Sequence, residues 1–247
     1  MAGAITIYTR NILESGTVTV TGTPDTGFPE ARLYDRALSL FWKDTVTEAK
    51  NFLIDQGASG ALAVDFLAIG KHNFSGIDMQ WQWSTDNFSA DINDAVVDWT
   101  QGDNNPIVKT LDPALTKRYW RVTLASMANP KAGEVFMSAG FSMDILYTPG
   151  TRGGNVSNTQ WNRTVGGTER STKFGPVRRQ RSYPFFLSAP DLASLRSALD
   201  DLDELSKPFY IKDHEGDCWL CRLTDDPLED WDHLTNKHIT LNVIEVL

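Results

Sequence analysis

The sharpest chemical question in this sequence lies near its C-terminus. Cys218-x2-Cys221-x11-His233-x4-His238 lies one residue from the spacing of a zinc site made of two cysteines and two histidines. Thiolate and imidazole ligands at such intervals can converge on a tetrahedral cation. The residues between them argue against it: Asp225, Asp226, Glu229, Asp230 and Asp232 make the connection acidic, and Pro227 stands where a finger helix would run. No glycine beside the cysteines helps the backbone turn around a metal, and Cys218-Trp219-Leu220-Cys221 fits a strand equally well. A redox dithiol would need a strand-to-helix turn after the pair, and none follows. The reading is therefore no metal and no cofactor, with the spacing kept as the open alternative.

Other reactive groups are as sparse. His72 is one of four histidines, and neither a Gly-x-Ser-x-Gly elbow, a P-loop nor a Gly-x-Gly-x-x-Gly is present. Adjacent acids such as Asp200 with Asp201 read as solvated turns, so catalysis is not expected. Trp42, Trp81, Trp83 and Trp99 could offer stacking faces to a sugar, with Trp42 and Trp99 as the candidate ligand-binding pair. The bland reading is core packing, since Trp81 and Trp83 share one face of a strand at period two. Asp86, Asn87, Asp91, Asn93 and Asp94, or Asp103-Asn104-Asn105, carry hard oxygens suited to calcium but match no loop rule.

These residues sit in a chain of 247, of which 41% are hydrophobic and 22% charged, enough for a sizeable core. Lys and Arg number 23 against 32 Asp and Glu, a net charge of −9, which leaves no basic footprint for nucleic acid over the whole chain. No run approaches the roughly 20 apolar residues of a membrane span, and the N-terminus shows no basic, apolar export signal. With two cysteines, a reducing compartment is expected.

Charge is distributed unevenly. Residues 152–181 hold Arg152, Arg163, Arg170, Lys173, Arg178, Arg179 and Arg181 against Glu169 alone, which is +6. Residues 1–151 carry −6 and residues 182–247 carry −9. The basic piece is also rich in Gly, Asn, Ser and Thr and follows the turn signal Tyr147-Thr148-Pro149-Gly150. The expected organisation is a β-sandwich over 5–148, a basic extended arm or hairpin over 149–181, and a small α+β module over 182–247.

Short alternating runs bounded by turn residues supply the sandwich: 17–21, 61–69, 77–84, 119–125 and 135–145. The run 61–69 is apolar nearly throughout and reads as a strand buried on both sides. In the last piece, Leu192, Leu195, Leu199 and Leu202 recur at helical steps, Ser188 and Asp191 form a capping-box-like start, and Lys207-Pro208 forms the stop. Strands at 209–212, 218–223 and 239–246 follow. The fold class is mainly β, with one helix in the C-terminal module.

The order of Ala61-Leu62-Ala63-Val64-Asp65-Phe66, Ile69, His72-Asn73-Phe74, Trp83-Ser84-Thr85-Asp86-Asn87-Phe88 and Lys117-Arg118-Tyr119-Trp120-Arg121-Val122 resembles the galactose-binding-like, discoidin-type jelly roll. The opening, from Asn11-Ile12-Leu13 through Arg32-Leu33-Tyr34-Asp35 to Trp42, is similar to such domains in bacteriophage structural proteins. The residues from Arg178 through Lys207-Pro208-Phe209-Tyr210-Ile211 to the terminal strand resemble the small modules of distal tail and tail-tube proteins, which close into rings.

The resemblance implies a virion structural protein of the tail or baseplate, made in the host cytoplasm, without catalytic activity. Its expected partners are its own copies in a ring and other phage tail proteins, with no membrane; nucleic acid is the less favoured partner of the arm. Ring contacts are expected from Arg163, Arg170, Arg178, Arg179 and Arg181 to Asp200, Asp201, Asp203, Asp225, Asp226 and Asp230 of a neighbour. The alternative is a carbohydrate-binding module that attaches to a host glycan.

Overall fold

The computed structural model describes residues 4–58, 60–143, 152–163, 165–167, 169–203, 205–227, 229–231 and 236–247. The turn signal at Tyr147–Gly150 and the histidine His233 lie outside the described residues. The protein is mainly β, as its Val, Ile, Thr and aromatic content requires. Two compact units form: one from Tyr8 to Gly140, the other from Met1–Ile7 together with Phe141–Leu247. The sandwich is thus inserted into the chain of the second unit. The boundaries differ from the expected 5 and 148 because Ile5–Tyr8 pairs antiparallel with Phe141–Met143, Ile5 opposite Met143 and Ile7 opposite Phe141. Such a pairing joins segments far apart in sequence and leaves no local signal.

The Tyr8–Gly140 unit is a jelly-roll sandwich of eight antiparallel strands. Five form one sheet in the order Thr17–Val20, Glu48–Asp55, Tyr119–Met127, Asp78–Ser84, Asn93–Thr100. Three form the other, Glu134–Ser138, Ala63–Gly70, Ile107–Thr116. Side chains at alternate positions meet between the sheets, where Phe52, Ile54, Val64, Ile69, Trp81, Trp120, Val122 and Val135 are buried. Ala63–Gly70 is covered on both faces, as its nearly apolar run predicts: Phe66, pointing away from Val64, stacks on Tyr8 at 3.9 Å and meets Phe136 edge-on.

The other unit is an eight-stranded sheet with one helix. The strand order is Phe141–Met143, Ile5–Tyr8, Phe209–Lys212, Cys218–Leu223, Asn236–Glu245, Arg178–Ser188, Arg152–Val156, and Glu229–Trp231 also pairs with Asn236–Glu245. The helix Ala189–Asp200 begins at Ser188, whose hydroxyl oxygen accepts from the Asp191 amide, and Pro190 occupies its first turn. Leu192, Leu195 and Leu199 face Tyr183, Phe185, Leu187, Ile239, Leu241 and Val243 of the sheet. The helix ends at Asp200, before the expected Lys207-Pro208 stop, and Asp203 and Leu205 then adopt left-handed φ near 50° and 63°. Leu202 still reaches the core from this turn.

The described part of the basic segment forms paired strands. Arg152–Val156 and Arg178–Ser188 belong to the sheet, with Arg152 opposite Ser182 and Val156 opposite Arg178. Between them Thr159–Arg163 and Glu169–Lys173 pair into a separate two-stranded ribbon.

Candidate functional site

The outer face of the five-stranded sheet gathers the polar groups of the sandwich. Alternation sends Met79, Trp81 and Trp83 inward and Asp78, Gln80 and Gln82 outward along one strand. Register then fixes their neighbours, with Gln80 opposite Thr123 and Gln82 opposite Arg121, while Asn51 flanks Thr123 from the other side. One row therefore reads Asn51, Thr123, Gln80, Asp98. Thr123 donates to Gln80 Oε1 at 3.3 Å, and Gln80 Nε2 donates to Asp98 at 2.5 Å. In the next row Arg121 donates through Nε and Nη2 to Gln82 Oε1 at 3.1 and 2.6 Å, and Gln82 Nε2 donates to Asp94 at 2.9 Å.

These rows border a depression of about 330 Å³, lined by Asn51, Asp78, Gln80, Asp98, Arg121 and Thr123 over Met79 and Leu124. Arg121 is held in place: Gln82 fixes its fork, and its guanidinium lies 4.1 Å from the centre of the Phe88 ring. Burial pushes this guanidinium below its ordinary value. The loop carrying Phe88 is pinned by two carboxylates. Asp86 accepts from the Ser84 hydroxyl and from the amides of Ser89, Ala90 and Asp91, while Asp91 accepts from Thr85 and Asn93. Asn87 and Phe88 both sit at φ 60°, a conformation that bulky residues adopt only when their surroundings enforce it.

The sequence-based candidates fall elsewhere. Trp42 is not a sugar platform: it is fully buried in the sandwich core, edge-on to Phe52 with ring centres 5.1 Å apart. Trp99 packs against the same core, and the Lys109 ammonium sits 4.4 Å from its ring centre, so neither tryptophan offers a free face. The oxygens proposed for calcium are engaged by protein donors, Asp86 and Asp91 as above and Asp103 by Gln101 and Asn105. His72 is structural: Nδ1 accepts from the Phe74 amide and Nε2 bonds the Asn105 carbonyl at 2.7 Å. Cys218 and Cys221, three apart on one strand, point to opposite faces; Cys221 joins the core between Trp219 and Leu223 in alternation.

The arm residues divide. Arg163 and Arg170 lie exposed on the two-stranded ribbon. Arg179 and Arg181 bind their own chain: Arg179 Nη1 meets Asp217 at 3.0 Å and its amide donates to Glu245, and Arg181 donates to the Gly154 carbonyl. Arg178 starts the long strand of the sheet. The Arg179 and Arg181 side chains remain partly exposed while making these contacts within the chain. Asp200, Asp201 and Asp203 are exposed together at the helix end. Asp225 accepts from Asn242 at 2.9 Å, Asp226 is exposed, and the backbone of Asp230 lies opposite His238.

No protein-family model matches the chain, and no curated protein matches it. Some solved structures are similar to part of it. A family 32 carbohydrate-binding module of Clostridium perfringens is 20% identical, with TM-score 0.43 over 53% of this chain and 100% of its own. Chitosan-binding module 1 of a chitosanase/glucanase from Paenibacillus sp. IK-5 is 17% identical, with TM-score 0.44 over 53% and 99%. A second family 32 module of Clostridium perfringens, solved with galactose, is 14% identical, with TM-score 0.44 over 55% and 99%. All three are carbohydrate-binding modules.

The polar trough on the outer sheet face escaped the sequence reading, although its signal was present. Asp78-x-Gln80-x-Gln82 interleaves with Met79-x-Trp81-x-Trp83, and the aromatic half of that alternation drew the attention.

Proposed function

We propose that the sandwich is a carbohydrate-binding module that takes its ligand on the outer face of the five-stranded sheet and performs no chemical step. The observation that supports this is the trough itself, where carboxylate, amide, hydroxyl and guanidinium groups stand on rigid strands around one depression. A sugar hydroxyl both donates and accepts, so a site that alternates donors and acceptors suits it, and groups already held by neighbours lose little entropy on binding. Asp78 and Asp98 outnumber Arg121, which favours a neutral or amino sugar over a uronic acid. Calorimetric titration against neutral, amino and acidic glycans tests the reading. Saturable binding that Asp98→Ala and Arg121→Gln abolish, with circular dichroism unchanged, is the expected result. Sugar binding indifferent to both substitutions, or no binding across the glycan set, defeats it.

A second reading, a structural component of a bacteriophage tail or baseplate, rests on the resemblance of the sequence alone. Labelling of purified virions by an antibody against this chain tests it.

A further inference from the structure

The ribbon formed by Thr159–Arg163 and Glu169–Lys173 is the least supported element of the chain. Both of its faces are exposed; only Thr159 is partly covered. An isolated two-stranded hairpin is marginal in water, and among the described residues this one has neither a third strand nor a core beneath it. Register places Thr159, Trp161, Arg163, Glu169, Ser171 and Lys173 on one face, with Trp161 opposite Ser171 and flanked by Arg163 and Lys173. Trp161 is 66% exposed, and Phe174, just beyond the ribbon, is 61% exposed. An exposed tryptophan between cations is the composition of an interface anchor. Among the described residues, Arg163, Arg170 and Lys173 have no carboxylate partner.

A matching surface exists on the same chain. The helix Ala189–Asp200 carries no basic residue in its last turn, and Asp200, Asp201 and Asp203 crowd its C-terminal end. That end already bears the negative pole of the helix, where acidic side chains are unfavourable and cations are favoured. Arg196, one turn back, is committed to Glu229, with Nε and Nη2 on its two oxygens. None of the three aspartates has a cation partner among the described residues. The chain carries −9 in all and residues 152–181 carry +6, which leaves −15 for the rest. Outside its own basic segment, a second copy is therefore net acidic and complementary to the ribbon.

We propose that the Trp161 face of the ribbon docks on the Asp200, Asp201 and Asp203 corner of a second copy of this chain. The two surfaces differ, so the contact is head-to-tail: each copy donates a ribbon to one neighbour and receives one from another. The docking rests on the ribbon and the helix end alone and is independent of the glycan reading.

Sedimentation of the full chain over a range of concentration and salt tests the proposal. Concentration-dependent association that weakens as salt rises is expected, because exposed pairs are screened beyond about 8–10 Å at ordinary ionic strength. A ribbon variant (Trp161→Ala, Arg163→Glu, Lys173→Glu) and a helix-end variant (Asp200→Lys, Asp201→Lys, Asp203→Lys) should each be monomeric. Mixed one to one, they retain a single compatible pair of surfaces and should form a discrete heterodimer and nothing larger. All six side chains are exposed, so circular dichroism should be unchanged. A monomer at every concentration and salt, or association that survives in either variant, overturns the proposal. So does a monomer that binds a fluorescein-labelled single-stranded DNA through the ribbon, since the surface would then belong to nucleic acid.

Discussion

Lys50 and Asp44 form an ion pair inside the sandwich, Nζ to Oδ2 at 2.9 Å, with both side chains fully shielded from solvent. Glu48, itself half-exposed, lies 2.9 Å from the same ammonium. Burial is the largest single influence and would raise the Asp44 carboxyl, but the hydrogen bond and charge of Lys50 together with the amides of Val46 and Thr23 outweigh it and hold the group below its usual range. Removing one partner of such a pair costs about 3–5 kcal/mol, because an uncompensated charge stays behind. Asp44→Ala should lose an amount near the lower end in urea unfolding, since Glu48 remains. Gly22→Ala should be as damaging: its φ is +110°, and a Cβ there would meet Asp44 Oδ2 and Lys50 Nζ at 2.2 Å.

Glu229 ties the helix to the sheet. Arg196 and Lys237 both bond it and hold its carboxyl down to about 2. A depressed carboxyl contributes stability above its unfolded value of about 4.3 and loses it as pH falls through the folded one. The C-terminal unit should therefore weaken as pH falls from about 4 towards 2, and Glu229→Gln should flatten that decline in thermal scans monitored by circular dichroism.

Glu134 carries the opposite sign. It is buried in the sandwich, accepting from Asn11 Nδ2 at 3.2 Å and from the Arg36 amide at 2.9 Å, and burial pushes its carboxyl well up. A raised carboxyl leaves its stability intact below about 4.3 and drains it as pH rises towards the folded value. Glu134→Leu, which cannot ionise but forfeits both hydrogen bonds, should lower stability at acid pH and cost less as pH rises. Denaturant midpoints across the pH range check this.

The two thiols should be inert in the folded protein. Burial pushes Cys218 up to about 12 and Cys221 well above its ordinary value, and only the thiolate reacts. Iodoacetamide at pH 8 should modify neither until denaturant is added, as read by mass spectrometry. Rapid labelling of both would show that the strand Cys218–Leu223 is not seated as described.

Asp86 should govern the order of the Phe88 loop. Asp86→Ala removes the acceptor of the Ser89, Ala90 and Asp91 amides, and their hydrogen exchange should accelerate while the sheet amides stay protected. Sugar affinity should fall with it, because Phe88 would no longer brace Arg121.

Much of this architecture was legible in local pattern. Alternation marked Thr17–Val20, Asp78–Ser84 and Tyr119–Met127, a nearly continuous apolar run marked Ala63–Gly70, and leucine spacing with Ser188 marked the helix. Asn93–Thr100 stayed hidden because bulges break its register with Asp78–Ser84, so its side chains do not alternate cleanly. The run 135–145 is two strands serving different sheets, Glu134–Ser138 and Phe141–Met143, a division that only distant pairing partners impose. At the site, residue type misled: Trp42 is large and aromatic, and the fold spends it on packing. The trough depends on four strands coming side by side, which no single segment encodes.

The pairing of Ile7 with Phe141 means that the chain leaves for the sandwich and returns from it at adjacent points. Paired Cα atoms in an antiparallel ladder lie about 4.5–5.5 Å apart. A tight turn of two residues could close that gap, so the host sheet keeps its threading whether the guest is present, absent or exchanged for another. Such a cassette can diversify its ligand without renegotiating the scaffold that carries it.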